Sequence, residues 1–318
     1  MTDAIVETHD LGRDFRVRDG LRRRTVVAVD RLSVAITPGE AVGYIGANGA
    51  GKSTTIKMLA GILVPTRGSI TTCGLRPVPD RRRLAHELGV VFGQRSQLWW
   101  DLPVRESFRI LAAIHTLTPA AERSRTDELV DRLELAEFLG TPVRQLSLGQ
   151  RMRAEVAAAL LHSPRLVVLD EPTIGLDVLS KQRLREFLVA ERHTHGTTLL
   201  LTTHDMGDVE RLCDRILLVD RGSLVFDGTL AGLSRTVGAE RIMVVDLAAP
   251  VGDLVDVPET RHLGSEGSGM RQRLAFDPEA TTAALVLAAV SERAEVLDLA
   301  IEEPDVEEVV RRVYAARR

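Results

Sequence analysis

The stretch Gly46-Ala47-Asn48-Gly49-Ala50-Gly51-Lys52-Ser53-Thr54 decides how this chain is read. Its spacing, Gly-x-x-x-x-Gly-Lys-Ser, is that of a phosphate-binding loop. Glycines let backbone N–H groups close around phosphate oxygens, and a helix starting near Lys52 adds its positive end. Lys52 is then placed to reach β- and γ-phosphates, and the Ser53 hydroxyl to ligate Mg2+. Working outward, Ala41-Val42-Gly43-Tyr44-Ile45 follows the turn Pro38-Gly39 and reads as a buried strand. Ile56, Leu59, Ala60 and Leu63 recur at helical spacing. A strand before and a helix after is the context that separates this pattern from a chance glycine turn.

Further along, Leu166–Leu169 is an unbroken apolar run ended by Asp170-Glu171-Pro172, as expected of a central parallel strand. Carboxylates at a strand's carboxyl end sit where α/β sheets bind ligands. Asp170 is the candidate Mg2+ partner. Glu171, facing the other way by strand alternation, is the candidate base that polarises the attacking water. Gln94, after the strand candidate Val90–Phe92, offers an amide to Mg2+ and that water. His204, beyond the strand candidate Thr198–Leu201, can contact the γ-phosphate. The only asparagine is Asn48, inside the loop, so an Asn-Lys-x-Asp guanine reader has no place elsewhere. Adenine is expected to be held by stacking, for which Phe15 is the available N-terminal aromatic.

Strands alternating with helices imply an α/β fold with a parallel sheet. A helical stretch over 104–162 interrupts the alternation and reads as a subdomain of about 100–162. After residue 235 the pattern changes. Residues 236–318 read as a small α+β domain, ferredoxin-like, with strands at Arg241–Leu247, Met270–Phe276 and Val296–Ile301 and helices at Pro278–Val290 and Asp305–Ala315. A net charge of −4 argues against nucleic acid as a partner. Two isolated cysteines, Cys73 and Cys213, make neither a disulfide framework nor a metal motif, so a reducing compartment is expected. The longest apolar run, Ala283–Val290, is far short of the roughly 20 residues a membrane span needs. The charged N-terminal residues do not read as a signal peptide.

Taken together, these residues resemble the ATP-binding cassette subunits of ABC transporters over roughly 5–230. Six elements stand in order: the loop 46–54, Gln94, Leu146-Ser147-Leu148-Gly149-Gln150, the strand ending in Asp170 and Glu171, Gly175-Leu176-Asp177, and His204. The resemblance implies an ABC ATPase core that binds ATP and Mg2+. It implies two cassettes paired head to tail, as a homodimer or heterodimer across two ATP molecules. Ser147, Gly149, Gln150 and Asp177 would then complete a nucleotide site of the pair. Leu148 departs from the family, which usually has glycine there. The segment Gly93–Phe108, with Trp99 and Trp100, resembles cassettes serving ABC-2 type exporters of drugs or other small amphipathic molecules. A separate transmembrane permease is the partner this implies, with the cassette held peripherally by it at the cytoplasmic face of the cell membrane. An importer cassette and a soluble regulatory ATPase are the rival readings.

Overall fold

The computed structural model describes residues 4–19, 22–93, 96–236, 238, 240–302 and 306–315. It divides into two compact units, residues 1–229 and 230–318. In the first unit, β1 (Val6–Asp19), β2 (Arg22–Ile36), β3 (Ala41–Gly46), α1 (Lys52–Leu59), β4 (Arg67–Thr72), α2 (Arg81–Leu84) and β5 (Leu88–Phe92) come first. The helical stretch follows: α3 (Val104–Ile114), α4 (Pro119–Arg132) and α5 (Leu148–Leu160). The remainder is β6 (Leu166–Asp170), α6 (Val178–His195), β7 (Thr198–Thr202), α7 (Met206–Leu212), β8 (Arg215–Asp220) and β9 (Ser223–Gly228).

Six strands form one sheet in the order β5-β6-β7-β3-β8-β9, parallel except for the antiparallel β8–β9 edge. Alternate residues of one strand feed two different cores. Leu166 and Val168 pack with Val42, Tyr44 and Ile56, whereas Val167 and Leu169 pack with Phe108, Leu129 and Leu188. A sheet buried on both faces needs apolar side chains at every position, which is why β6 and β7 read as continuous runs.

A second, antiparallel sheet, β2-β1-β4, is an element the sequence pattern did not announce. Its long strands are interrupted by register shifts between Thr8 and Leu11, Leu11 and Arg13, and Arg13 and Asp14, which break the two-residue alternation. The expected helix after the loop is shorter than its periodicity. Ala60 caps α1, Gly61 turns at φ 67°, and Leu63 lies beyond the helix.

The second unit holds α8 (Leu230–Thr236), β10 (Arg241–Leu247), β11 (Thr260–Glu266), β12 (Arg271–Phe276), α9 (Ala283–Ser291), β13 (Val296–Glu302) and α10 (Val306–Ala315). Its antiparallel sheet runs β11-β12-β10-β13. A ferredoxin-like domain carries a helix between its first two strands; here β10 leads to β11 without one. The strand β11 was not anticipated, because its burial is sparse. Helix α9 starts at Ala283 rather than 278, since the Thr282 hydroxyl accepts from Leu285 N–H and fixes the start there. Asp305, where the last helix was expected to begin, lies outside the described residues. Among the described residues, no helix is long and apolar enough to cross a membrane.

Candidate nucleotide site

The loop from Gly46 to Gly51 joins β3 to α1 at the carboxyl edge of the parallel sheet. Gly51 needs its glycine: φ is 100°, and a Cβ there would lie 2.3 Å from Ala28 O. Gly51 is also the N-cap of α1 and supplies no side-chain acceptor, so the helix opens with unsatisfied N–H donors. The Lys52 ammonium is buried. Nζ donates to Gly46 O at 2.5 Å and Ala47 O at 3.3 Å. Burial holds its pKa below the ordinary lysine value, opposed by the negative charges of Glu171 and Asp170.

Strand register brings the acids to the same edge. β6 pairs with β7 so that Asp170 lies beside Thr202, and with β5 so that Asp170 lies beside Phe92. The Thr202 hydroxyl donates to Asp170 Oδ1 at 2.5 Å. Glu171 has left the strand. Its φ is 57°, and its N–H donates to Thr202 O at 2.9 Å. Strand alternation therefore does not set its direction, and both carboxylates line one cavity. His204, two residues past Thr202, meets Glu171 at 3.2 Å between Nε2 and Oε1. Burial raises the Glu171 pKa, with the His204 charge opposing.

That cavity measures about 550 Å³. Asn48, Gly49, Gly51, Lys52, Ser53 and Thr54 line it from the loop side, with Asp170, Glu171 and His204 opposite. Gly46, Ala47 and Ala50 belong to the loop's frame: Gly46 and Ala47 give the carbonyls that hold Lys52, and Ala50 is buried. Ala28, Lys57, Ile62, Phe92, Gly93 and Ile174 also line the cavity and were not anticipated. Lys57 was discoverable, because it lies one helical turn after Ser53 on the same face. Ala28 carries no local signal; β2 delivers it.

A family model described as ABC transporter matches residues 29–174. The ABC transporter ATP-binding protein NatA of Bacillus subtilis (strain 168) is 32% identical over 212 residues, 67% of this chain and 86% of that protein. The chain belongs to the ATP-binding subunits of ABC transporters. The Nod factor export ATP-binding protein I of Burkholderia pseudomallei (strain 1710b) is 41% identical over 206 residues, 64% of this chain and 66% of that protein. A solved ATP-binding subunit of an ABC transporter superposes with a TM-score of 0.65 at 28% identity, covering 74% of this chain and 94% of that one.

The remaining expected residues of this ABC subunit that the structure describes do not line the cavity. Ser147 is the N-cap of α5 in a complete capping box: its hydroxyl accepts from Gln150 N–H at 3.2 Å, and Gln150 Oε1 accepts from Ser147 N–H at 3.0 Å. The helix begins at Leu148, with Gly149 in its first turn. Asp177 caps α6, accepting from Ser180 N–H at 2.9 Å and the Ser180 hydroxyl at 2.7 Å, bonds that hold its carboxyl below the usual range. Phe15 is not a lining residue. The β1–β2 register sets it opposite Val26, with the Arg13 guanidinium 4.7 Å from its ring centre. Gln94 lies outside the described residues; its neighbour Gly93 lines the cavity.

Proposed function

We propose that this ABC subunit is an ATP-driven motor that works as a pair of copies around two ATP molecules and drives a separate permease for export. One observation carries the pairing. Lys52, Glu171 and His204 share a cavity, while the capped, exposed start of α5 at Ser147 lies outside it. A helix N-terminus is an anion site, so this one is free to meet a γ-phosphate held by another copy. Trp99 and Trp100, 37% and 51% exposed, offer anchors of the kind permeases would engage. The export direction rests on the likeness to the Nod factor export protein.

In this reading the loop N–H groups and Lys52 hold the phosphates, and Lys52 exchanges its carbonyl acceptors for stronger charged ones. Water attacks the γ-phosphorus as the bond to the bridging oxygen breaks, and Glu171 accepts the water's proton. A carboxylate raised by burial is a stronger base than an exposed one. His204 orients it. Asp170 and the Ser53 hydroxyl are hard oxygen donors at one cavity, the donor set that suits Mg2+, which usually takes one or two carboxylates plus phosphates. When bound, Mg2+ would neutralise charge developing on the phosphates.

The first unit acts as the ATP-binding domain and the second as an accessory domain, with the boundary before α8, at 229/230, rather than at 235. The decisive experiment is Glu171→Gln. Its turnover is expected to fall by about 100-fold or more, while ATP and Mg2+ convert it from monomer to a stable dimer in sedimentation. Normal turnover would remove Glu171 from its role, and absence of the dimer would remove the pairing.

A further inference from the structure

Leu148 is 40% exposed at the first position of α5, and its side chain lies over Gly175. A Cβ built on Gly175 would sit 2.2 Å from Leu148 Cδ2, and Gly175 has φ 70°. Beside this contact, a Cβ on Gly149 would touch Leu176 Cδ2 at 3.5 Å. The start of α5 and the segment before α6 therefore pack at two adjacent points within one chain.

The segment from Glu171 to Leu176 is a tight turn. Ile174 N–H donates to Glu171 O at 3.3 Å and Leu176 N–H to Thr173 O at 3.2 Å. Its middle is pinned to fully buried Asp208, whose Oδ2 accepts from the Thr173 hydroxyl at 2.5 Å and the Thr203 hydroxyl at 3.1 Å. Thr203 precedes His204, which meets Glu171. A displacement at Leu148 thus has a short, packed route to both residues that position the attacking water. Contacts of this kind transmit only if they have two arrangements. The close approach at Gly175 supplies the constraint: Leu148 cannot move toward the turn without moving it.

We propose that Leu148 is a positioning residue that couples the two nucleotide sites of the pair. Contact of one copy's Ser147 turn with the partner's γ-phosphate is passed through Leu148 and Gly175 to Glu171 and His204 of the first copy's own site. This rests on the paired reading above. Glycine at 148 would remove the contact with Gly175 and leave only the one between Gly149 and Leu176.

The test uses the full chain and the variants Leu148→Ala, Leu148→Met, Gly175→Ala and the Leu148→Ala/Gly175→Ala double. ATPase rate against ATP concentration in the unaltered chain should be cooperative, with a Hill coefficient bounded by two sites. Leu148→Ala should bring it to about 1, raise amide hydrogen exchange across 173–176 about tenfold, and leave binding of a fluorescent ATP analogue within about twofold. Leu148→Met, which keeps the reach, should restore both readouts. Gly175→Ala should lose hydrolysis, and the double variant should recover part of it. Unchanged cooperativity and exchange in Leu148→Ala, or losses that simply multiply in the double variant, overturn the proposal. Sedimentation separates the two failures. A Glu171→Gln chain that never dimerises with ATP removes the paired reading and the coupling together. One that dimerises, while Leu148→Ala stays cooperative, removes the coupling alone.

Discussion

At the scale of single residues, the loop states its chemistry openly and Glu171 does not. Lys52 is legible because only lysine in that position brings a cation to the phosphates, and its pocket neighbours Ser53 and Thr54 follow from spacing. Glu171 was identified, but its direction was inferred from strand alternation, and a φ of 57° cancels that argument. Whether a residue after a strand turns left-handed depends on what receives its N–H, here Thr202 O on a neighbouring strand. Lys52 yields a prediction at this scale. Its buried ammonium faces two carboxylates, so removing it leaves Asp170 and Glu171 without their loop cation. Lys52→Ala should weaken ATP binding by about 10- to 100-fold, from the loss of charge-assisted bonds of about 1.5–3 kcal/mol each. Equilibrium binding of a fluorescent analogue measures it, and unchanged affinity would contradict the assigned role.

Among elements, the Ser147 cap has a sequence signature and the long strands do not, while the Thr282 cap lay hidden inside the expected helix 278–290. Ser147 and Gln150 stand three apart, the spacing of a capping box, and they close one. By contrast β1 and β2 hide behind bulges and exposed arginines, so the antiparallel sheet emerges only when its partners are known. A histidine stack joins the ends of α3 and α5: the rings of His115 and His162 lie 3.8 Å apart and nearly parallel, with His86 edge-on to His115. Burial, then the neighbouring His115 charge, pushes the His162 pKa down from 6.5 to about 3. The unfolded chain therefore takes up a proton near pH 6.5 that the folded chain refuses until about pH 3. Stability from this group is complete above pH 6.5 and is lost as pH falls through that window. The slope is at most about 1.4 kcal/mol per pH unit for one proton. Melting temperature should fall between pH 7 and pH 4, and less steeply in His162→Gln; parallel curves would refute the assignment.

For the molecule as a whole, the helical stretch is held to α6 by charge, beside the apolar contacts it makes with the sheet. Glu191 of α6 is fully buried and bonded to Arg125 of α4. Arg125 also holds Glu128 at 2.7 Å, and Arg132 and His195 lie 3.5 and 3.3 Å from Glu191. Arg125→Met removes the main partner of a buried carboxylate, which costs about 3–5 kcal/mol. The double change Arg125→Met with Glu191→Leu should recover most of it, because no unpaired charge remains. Denaturant titration of both variants decides this, and equal stability losses would show that the network contributes packing rather than pairing.

The chain's own order of residues determined the loop, the buried strands, the Ser147 cap and the family motifs, since these depend on neighbours within a few positions. Tertiary structure alone decided that His204 reaches Glu171, that Ala28 enters the cavity, that Phe15 stays out of it, and that Leu148 covers Gly175. Those meetings are set by strand order and register in the two sheets and, at Leu148, by the packing of the start of α5 against the turn before α6; hydropathy specifies which face a residue buries without specifying which element lies beside it.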